Sequence, residues 1–191
     1  MIFSKNLVSC SDDSSIIFYL KDNNKYKKDY QFLTGNRCYS IIQTKDNEMV
    51  YSEYNKSQIS FFDILERRKK TSIPNISKRN DVFEMIIMIR KDLLLIPGNN
   101  KISIINTNEY KLVRTIEVPG ACWIYGVCML NKNMLLTGDF SEVIRQWKIE
   151  GDNLILISKK QKTHDNDIRV LCNMGNGLIA SGSSDKTIKI W

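Results

Sequence analysis

The sequence predicts an all-β chain made of repeated small antiparallel sheets, and three observations carry that reading. Short runs of β-branched, aliphatic and aromatic residues are punctuated by clusters of Ser, Asp, Asn, Gly and Lys, the pattern of strands and tight turns. The large apolar residues Tyr19, Phe62, Ile105, Trp147 and Trp191 each close such a run, at steps of 43, 43, 42 and 44 residues. Nine positions before four of them, Cys10, Glu53, Gly138 and Gly182 end the preceding run; Gly98 precedes Ile105 by seven, which a tighter turn at Asn99-Asn100 explains. A recurrence this even, carried by strand patterns, is the signature of a propeller-type array.

The elements follow in order. The last stretch is the plainest: Ile179 to Gly182 is an apolar run, Ser183-Ser184-Asp185-Lys186 is turn chemistry, and Thr187 to Trp191 alternates as a half-buried strand does. The first unit, about 1–33, has strands at Leu7 to Cys10, Ser15 to Leu20 and Tyr30 to Leu33, with a polar turn through Asp22 to Lys28 and no innermost strand. The second, about 36–74, has strands near Cys38 to Gln43, Glu48 to Ser52, Gln58 to Asp63 and Lys70 to Ile73. The third, about 81–118, runs through Val82 to Ile89, Leu93 to Ile96, Lys101 to Ile105 and Leu112 to Val118. The fourth, about 122–160, runs through Trp123 to Leu130, Met134 to Thr137, Val143 to Lys148 and Leu154 to Lys159. The fifth, 166–191, stops after its third strand.

The unit His164, Asp167-Ile168-Arg169-Val170-Leu171, Ala180-Ser181-Gly182, Asp185 and Trp191 resembles a WD repeat of the β-propeller family, and residues 106–117 resemble that family's outer-strand passage. The resemblance is strong in the last repeat and a matter of pattern in the first two. No complete Trp-Asp pair exists: Trp147 is followed by Lys148, and Phe62-Asp63 and Ile105-Asn106 are worn versions. The resemblance implies a propeller segment over 1–191 with three complete four-stranded blades and two partial ones. Such an arc bares sheet edges and blade faces, which natural proteins avoid. The chain is therefore expected to be part of a larger propeller, a truncated gene product, or a propeller completed by a partner chain.

His164, Ser181 and Asp185 are the residue types of a catalytic triad. In the family resembled, however, they form a structural hydrogen-bond chain ending on the Trp191 indole. A triad also needs an exposed nucleophile and an oxyanion hole, and nothing in the sequence supplies either. The corresponding residues of the fourth unit are Gly120, Thr137, Ser141 and Trp147, so the chain is expected to be broken there. No enzymatic activity, cofactor or metal is expected.

At 191 residues and 42% hydrophobic, the chain can bury a substantial core. No apolar run approaches membrane-spanning length and the first residues lack the features of a signal peptide, so an intracellular, cytoplasmic protein without membrane insertion is expected. Five cysteines with no Cys-x-x-Cys argue against a disulfide framework and a zinc site. Cys128 and Cys172 fall at the same position of adjacent innermost strands, where a paired reactive site and a small apolar residue required by packing are the two readings, packing being preferred.

Net charge is +7, concentrated in Lys25-Tyr-Lys-Lys28, Glu66-Arg-Arg-Lys-Lys70 and Lys159-Lys-Gln-Lys162. A solvated rim is the simpler reading, and a basic nucleic-acid stripe the alternative. The resemblance places the residues flanking the start of each innermost strand on the ring face where partners dock: Asp167 and Arg169, Trp123 and Tyr125, Val82 and Glu84, Cys38 and Ser40. Trp123 and Tyr125 are the leading anchors, since aromatic residues and Arg dominate binding hot spots, although Trp123 could equally pack on its neighbouring blade. A non-enzymatic scaffold with protein partners is expected, the missing blades of its own propeller or a closing chain among them.

Overall fold

The computed structural model describes residues 2–3, 6–54, 57–74, 76 and 85–191, which contain strands and turns but no helix. They divide into two compact units, Met1–Ile86 and Ile87–Trp191. Every sheet is a meander in which strands consecutive in sequence pair antiparallel, the blade type of a β-propeller.

The first unit holds two four-stranded sheets. One comprises β1 (Ile2–Phe3), β2 (Asn6–Cys10), β3 (Ser15–Asp22) and β4 (Lys25–Leu33); the other comprises β5 (Cys38–Lys45), β6 (Glu48–Glu53), β7 (Ile59–Asp63) and β8 (Arg68–Ile73). Strand alternation sends Val8, Ile16 and Phe18 of the first sheet into one core with Cys38, Met49, Tyr51 and Phe62 of the second. Phe62 stacks on Phe18 at 5.6 Å and meets Phe32 at 4.8 Å between ring centroids.

The second unit holds three sheets. They are β9 (Ile87–Arg90) with β10 (Leu93–Pro97), β11 (Lys101–Asn106) and β12 (Lys111–Glu117); β13 (Ile124–Asn131) with β14 (Met134–Asp139), β15 (Ile144–Glu150) and β16 (Asn153–Lys160); and β17 (Ile168–Gly175) with β18 (Leu178–Ser183) and β19 (Ile188–Ile190). Cys128, Leu136 and Ile144 of the middle sheet form a core with Ile168, Leu171 and Ile179 of the last. The two sheets approach closely because Gly138 has no side chain: a Cβ there would lie 2.6 Å from Ile168 Cγ2.

A shared irregularity gives the spacing of large residues its physical meaning. In all four sheets that have a fourth strand, the register between third and fourth strands shifts at the large residue: Phe18 pairs Tyr30 but Tyr19 pairs Lys28, and the same slip falls at Phe61/Phe62, Ile104/Ile105 and Gln146/Trp147. One outer-strand residue, Asp29, Lys70, Val113 or Ile157, is thus left without an opposite, which is a β-bulge. A bulge increases the local twist of the outer strand, and here it does so at the same point of every complete repeat.

The residue after the large one then decides how the chain turns. Asp63 Oδ1 accepts the backbone N–H groups of Leu65 and Glu66, and Asn106 Oδ1 accepts those of Asn108 and Glu109, so each strand ends there in a side-chain-capped turn. Where Leu20 or Lys148 stands instead, the ladder runs on to Asp22–Lys25 and Glu150–Asn153 and closes with two residues. Asn23 and Asn24 adopt φ of 46° and 62°, the signature of a tight hairpin turn.

Three expectations are corrected. The outer strand of the first sheet begins at Lys25, not near Tyr30, because Asn23-Asn24 makes a hairpin turn where a longer polar turn was read. The first sheet has an innermost strand, the two-residue β1, pairing Ile2 with Leu7 and Phe3 with Asn6. Of the strand read at Val82 to Ile89, residues 82–84 lie outside the described residues, and β9 covers Ile87–Arg90.

Candidate functional site: an interaction face and the polar nodes beneath it

In the last sheet the loop before β17, strand β18 and the turn after it converge on the His164 ring. Nδ1 lies 2.8 Å from Asp185 Oδ2 and Nε2 lies 2.7 Å from Ser181 Oγ, which also accepts the Trp191 Nε1–H at 2.8 Å. A carboxylate only accepts, so the arrangement is satisfied when Nδ1–H donates to Asp185, Ser181 O–H donates to Nε2 and the indole N–H donates to Ser181. Asp185 further accepts from the Thr187 hydroxyl at 2.7 Å, the Thr187 N–H at 2.8 Å and the Asp165 N–H at 3.1 Å. Burial alone would favour its neutral form, but the bonds from Thr187, Asp165 and His164 outweigh it and hold the carboxyl well below the ordinary carboxylate range. Ser181 is fully buried, and its hydroxyl proton is committed to His164.

The fourth unit was expected to lack this chain; the structure shows it rewired. Thr137 Oγ1 accepts the Trp147 indole N–H at 2.9 Å, as Ser181 does for Trp191. Gly120 has no side chain to replace His164, and its carbonyl instead accepts Arg145 Nη2–H at 3.1 Å. Arg145 Nη1 pairs with Asp139, whose Oδ1 caps the turn through the N–H groups of Ser141 and Val143. Burial pushes the Asp139 carboxyl up, and Arg145 opposes that shift only in part. In the first unit Glu53 makes a third kind of node, accepting from Ser60 Oγ at 2.9 Å and Gln58 Nε2 at 3.2 Å, with Lys69 Nζ at 3.5 Å.

Above the His164 node, the structure brings three of the proposed docking residues together. The Arg169 guanidinium lies 4.3 Å from the Tyr125 ring centroid, pairs with Asp167 Oδ2 at 2.6 Å and donates from Nε to Ser184 Oγ at 3.0 Å. Arg169 is exposed, Tyr125 half-buried and Asp167 buried. Trp123 is half-buried on the loop into β13, its carbonyl accepting the N–H of the exposed Phe140 at 3.1 Å. Glu84 and Val82 lie outside the described residues. Cys38 is not at a rim: it is 2% exposed, because alternation turns it into the core of the first unit. Ser184 and Phe140 were missed, since a serine in a polar turn and an aromatic after Gly-Asp carry no distinguishing pattern.

Six side chains of the basic clusters lie against acids or a ring. Lys27 pairs with Asp22, Arg67 with Asp29, Arg68 with Glu66, Lys69 with Glu53 and Lys70 with Glu48, and Lys160 lies 4.0 Å from the Trp191 ring centroid. Among the described residues, no group of three or more His, Cys, Asp or Glu is placed to hold a metal ion. No helix among them is long and apolar enough to cross a membrane.

Blade-type sheets, each wedged by a large residue, define a β-propeller fold, and the Ser/His/Asp chain that ends on an indole in the last of them is similar to that of a WD repeat. The model of the family "WD domain, G-beta repeat" matches residues 157–191. Dynein axonemal assembly factor 10 of Bos taurus is 33% identical over 94 residues, which are 46% of this chain and 26% of that protein; the Homo sapiens counterpart gives the same figures. Ribosome biogenesis protein YTM1 of Vanderwaltozyma polyspora is 26% identical over 69 residues, 36% of this chain and 14% of that protein. A chain in the crystal structure of the mitotic checkpoint complex superposes with a TM-score of 0.81 at 14% identity, over 98% of this chain and 58% of that one. The matched segment thus spans about a quarter of the axonemal factors, and the likeness to the solved structure is one of fold.

Proposed function

We propose that this chain is a non-enzymatic protein-interaction scaffold, 1–191 forming one WD-repeat segment that works in the cytoplasm and docks partners on the face carrying Trp123, Tyr125, Asp167 and Arg169. The supporting observation is the Tyr125–Arg169–Asp167–Ser184 cluster: an exposed guanidinium held in place by an aromatic ring, a buried carboxylate and a hydroxyl. A preoriented Arg beside aromatic residues offers a partner a charged anchor whose ordering cost has already been met by the fold. The His164, Ser181 and Asp185 set is better suited to fastening the sheet than to chemistry, since Ser181 is sealed from solvent and its oxygen is occupied by the Trp191 indole N–H. Two relatives are named for assembly and biogenesis and the superposed chain belongs to a complex, which favours a role in bringing proteins together.

Affinity capture with the full chain tests the face. Trp123→Ala and Tyr125→Ala should melt with the wild type and lose specific partners, while Arg169→Ala, which leaves the buried Asp167 without its counter-charge, should lose the same partners in a folded chain that melts lower. Unchanged partners in all three would remove this face from the proposal.

A further inference from the structure

Cys10 closes β2 and Cys38 opens β5, on the two sheets of the first unit. Period-two alternation puts Cys10 on the same side of β2 as Val8, which is buried in one cluster with Cys38, while Ser9 between them is exposed. Cys10 packs against that cluster, and the Cys38 N–H donates to the Ser11 carbonyl at 3.1 Å, fastening the start of β5 to the residue after Cys10. The two side chains thus meet in one core between the first and second sheets, where the Cys38 Sγ–H donates to the Ser40 carbonyl at 3.8 Å.

Their surroundings differ in a useful way. Cys10 is half-buried and open to a small solute, whereas Cys38 is sealed. The neighbouring Cys38 lowers the Cys10 thiol below its ordinary value; Cys38 is pushed up, first by Cys10 and then by burial. One sulfur is therefore reachable and the more readily ionised, and the other is protected and adjacent, the division of labour between an attacking and a resolving cysteine. Cys128, by contrast, is pushed up to about 11 by burial and by its neighbour Cys172.

We propose that Cys10 and Cys38 are an oxidant-sensitive dithiol, which hydrogen peroxide converts to a disulfide joining the first sheet to the second. The Cys10 thiolate attacks one peroxide oxygen and the O–O bond breaks; Cys10 becomes a sulfenic acid, and the departing hydroxide takes a proton to leave as water. Cys38 sulfur then displaces the sulfenic oxygen, the S–S bond forms, and the Cys38 proton leaves with that oxygen as a second water. Two thiols are oxidised by two electrons and one peroxide is reduced to two waters. The bridge would close a loop from residue 10 to residue 38 and tie two sheets whose contact is otherwise non-covalent.

The test treats the full chain with one equivalent of hydrogen peroxide, then denatures it, alkylates the remaining thiols and maps the peptides. The expected result is loss of two alkylatable thiols, a cross-linked peptide pair containing Cys10 and Cys38, recovery of both thiols with a reductant, and a higher melting temperature for the oxidised form. In Cys38→Ser, Cys10 should instead accumulate as a sulfenic acid captured by a carbon nucleophile such as dimedone. A chain carrying Cys122→Ser, Cys128→Ser and Cys172→Ser should still form the bridge, which keeps the test valid if Cys38→Ser fails to fold. Continued alkylation of Cys10 and Cys38 in both the wild type and the triple variant, or a bridge from Cys10 to a different cysteine, overturns the proposal.

Discussion

Ser181 and Thr137 do one task, accepting an indole N–H from the large residue that ends the third strand, and the polar groups behind them differ completely. Behind Ser181 stands an aromatic ring and a carboxylate; beside Thr137 a guanidinium reaches a backbone carbonyl and a buried acid. Ser181→Ala strands both His164 Nε2 and the Trp191 N–H and should cost about 1–3 kcal/mol in denaturant unfolding. Arg145→Ala leaves Asp139 buried without its counter-charge and should cost more, about 3–5 kcal/mol, with part regained in Arg145→Ala/Asp139→Asn. The two acids also respond to pH with opposite signs. The folded-state value of Asp185 is depressed, so its contribution is complete above the unfolded carboxylate value of about 4 and is lost as pH falls through the folded one. The folded-state value of Asp139 is raised, so its contribution is present in acid and declines as pH climbs above about 4. The melting-temperature gap between wild type and Asp185→Asn should therefore begin to narrow on going from pH 6 to pH 3, and a gap that widens would show that Asp185 is not held ionised by its partners.

At the scale of the element, the large residue at the end of the third strand marks the point where the outer strand bulges and where the next residue chooses between a capped turn and a longer hairpin. The spacing of those residues was legible because each is a bulky apolar side chain at a fixed interval. The bulges were not, because register belongs to the pairing of two strands, and neither sequence alone records where it slips. Arg145 and Asp139 were missed for a related reason: an Arg in an alternating strand and an Asp beside Gly138 carry no mark of burial, and only the neighbouring loop at Gly120 makes them a buried pair. Gly138 was read as the small residue that ends the second strand of its sheet, but what it makes room for lies on the next sheet. Gly138→Ala should force its Cβ against Ile168 and cost about 1–3 kcal/mol of overpacking. Combined with Ile168→Ala, which removes the opposing atoms, the loss should fall short of the sum of the two single losses. Strict additivity in a double-mutant cycle would mean that the sheets do not meet at this glycine.

For the molecule as a whole, charge and function pull in different directions. A net charge of +7 would favour phosphate binding if the basic side chains lay open along one surface. Instead, five residues of the first two clusters sit within ion-pair distance of Asp22, Asp29, Glu66, Glu53 and Glu48, and the third cluster lays Lys160 over an indole. A side chain already paired with a carboxylate releases fewer counterions when it meets a phosphate, because some of its charge is neutralised beforehand. The basic excess therefore contributes more to solubility and to general encounter than to recognition, while Arg169, itself paired with Asp167, is held beside Tyr125 at an exposed position that a protein partner can meet. Retention on immobilised RNA or heparin should accordingly be weak at low salt and change little with the substitutions Lys27→Ala and Lys162→Ala. A steep fall of affinity with salt, with a log–log slope that drops by about one per lysine removed, would mean that the basic clusters act as a phosphate-binding stripe and that the paired geometry opens to release them.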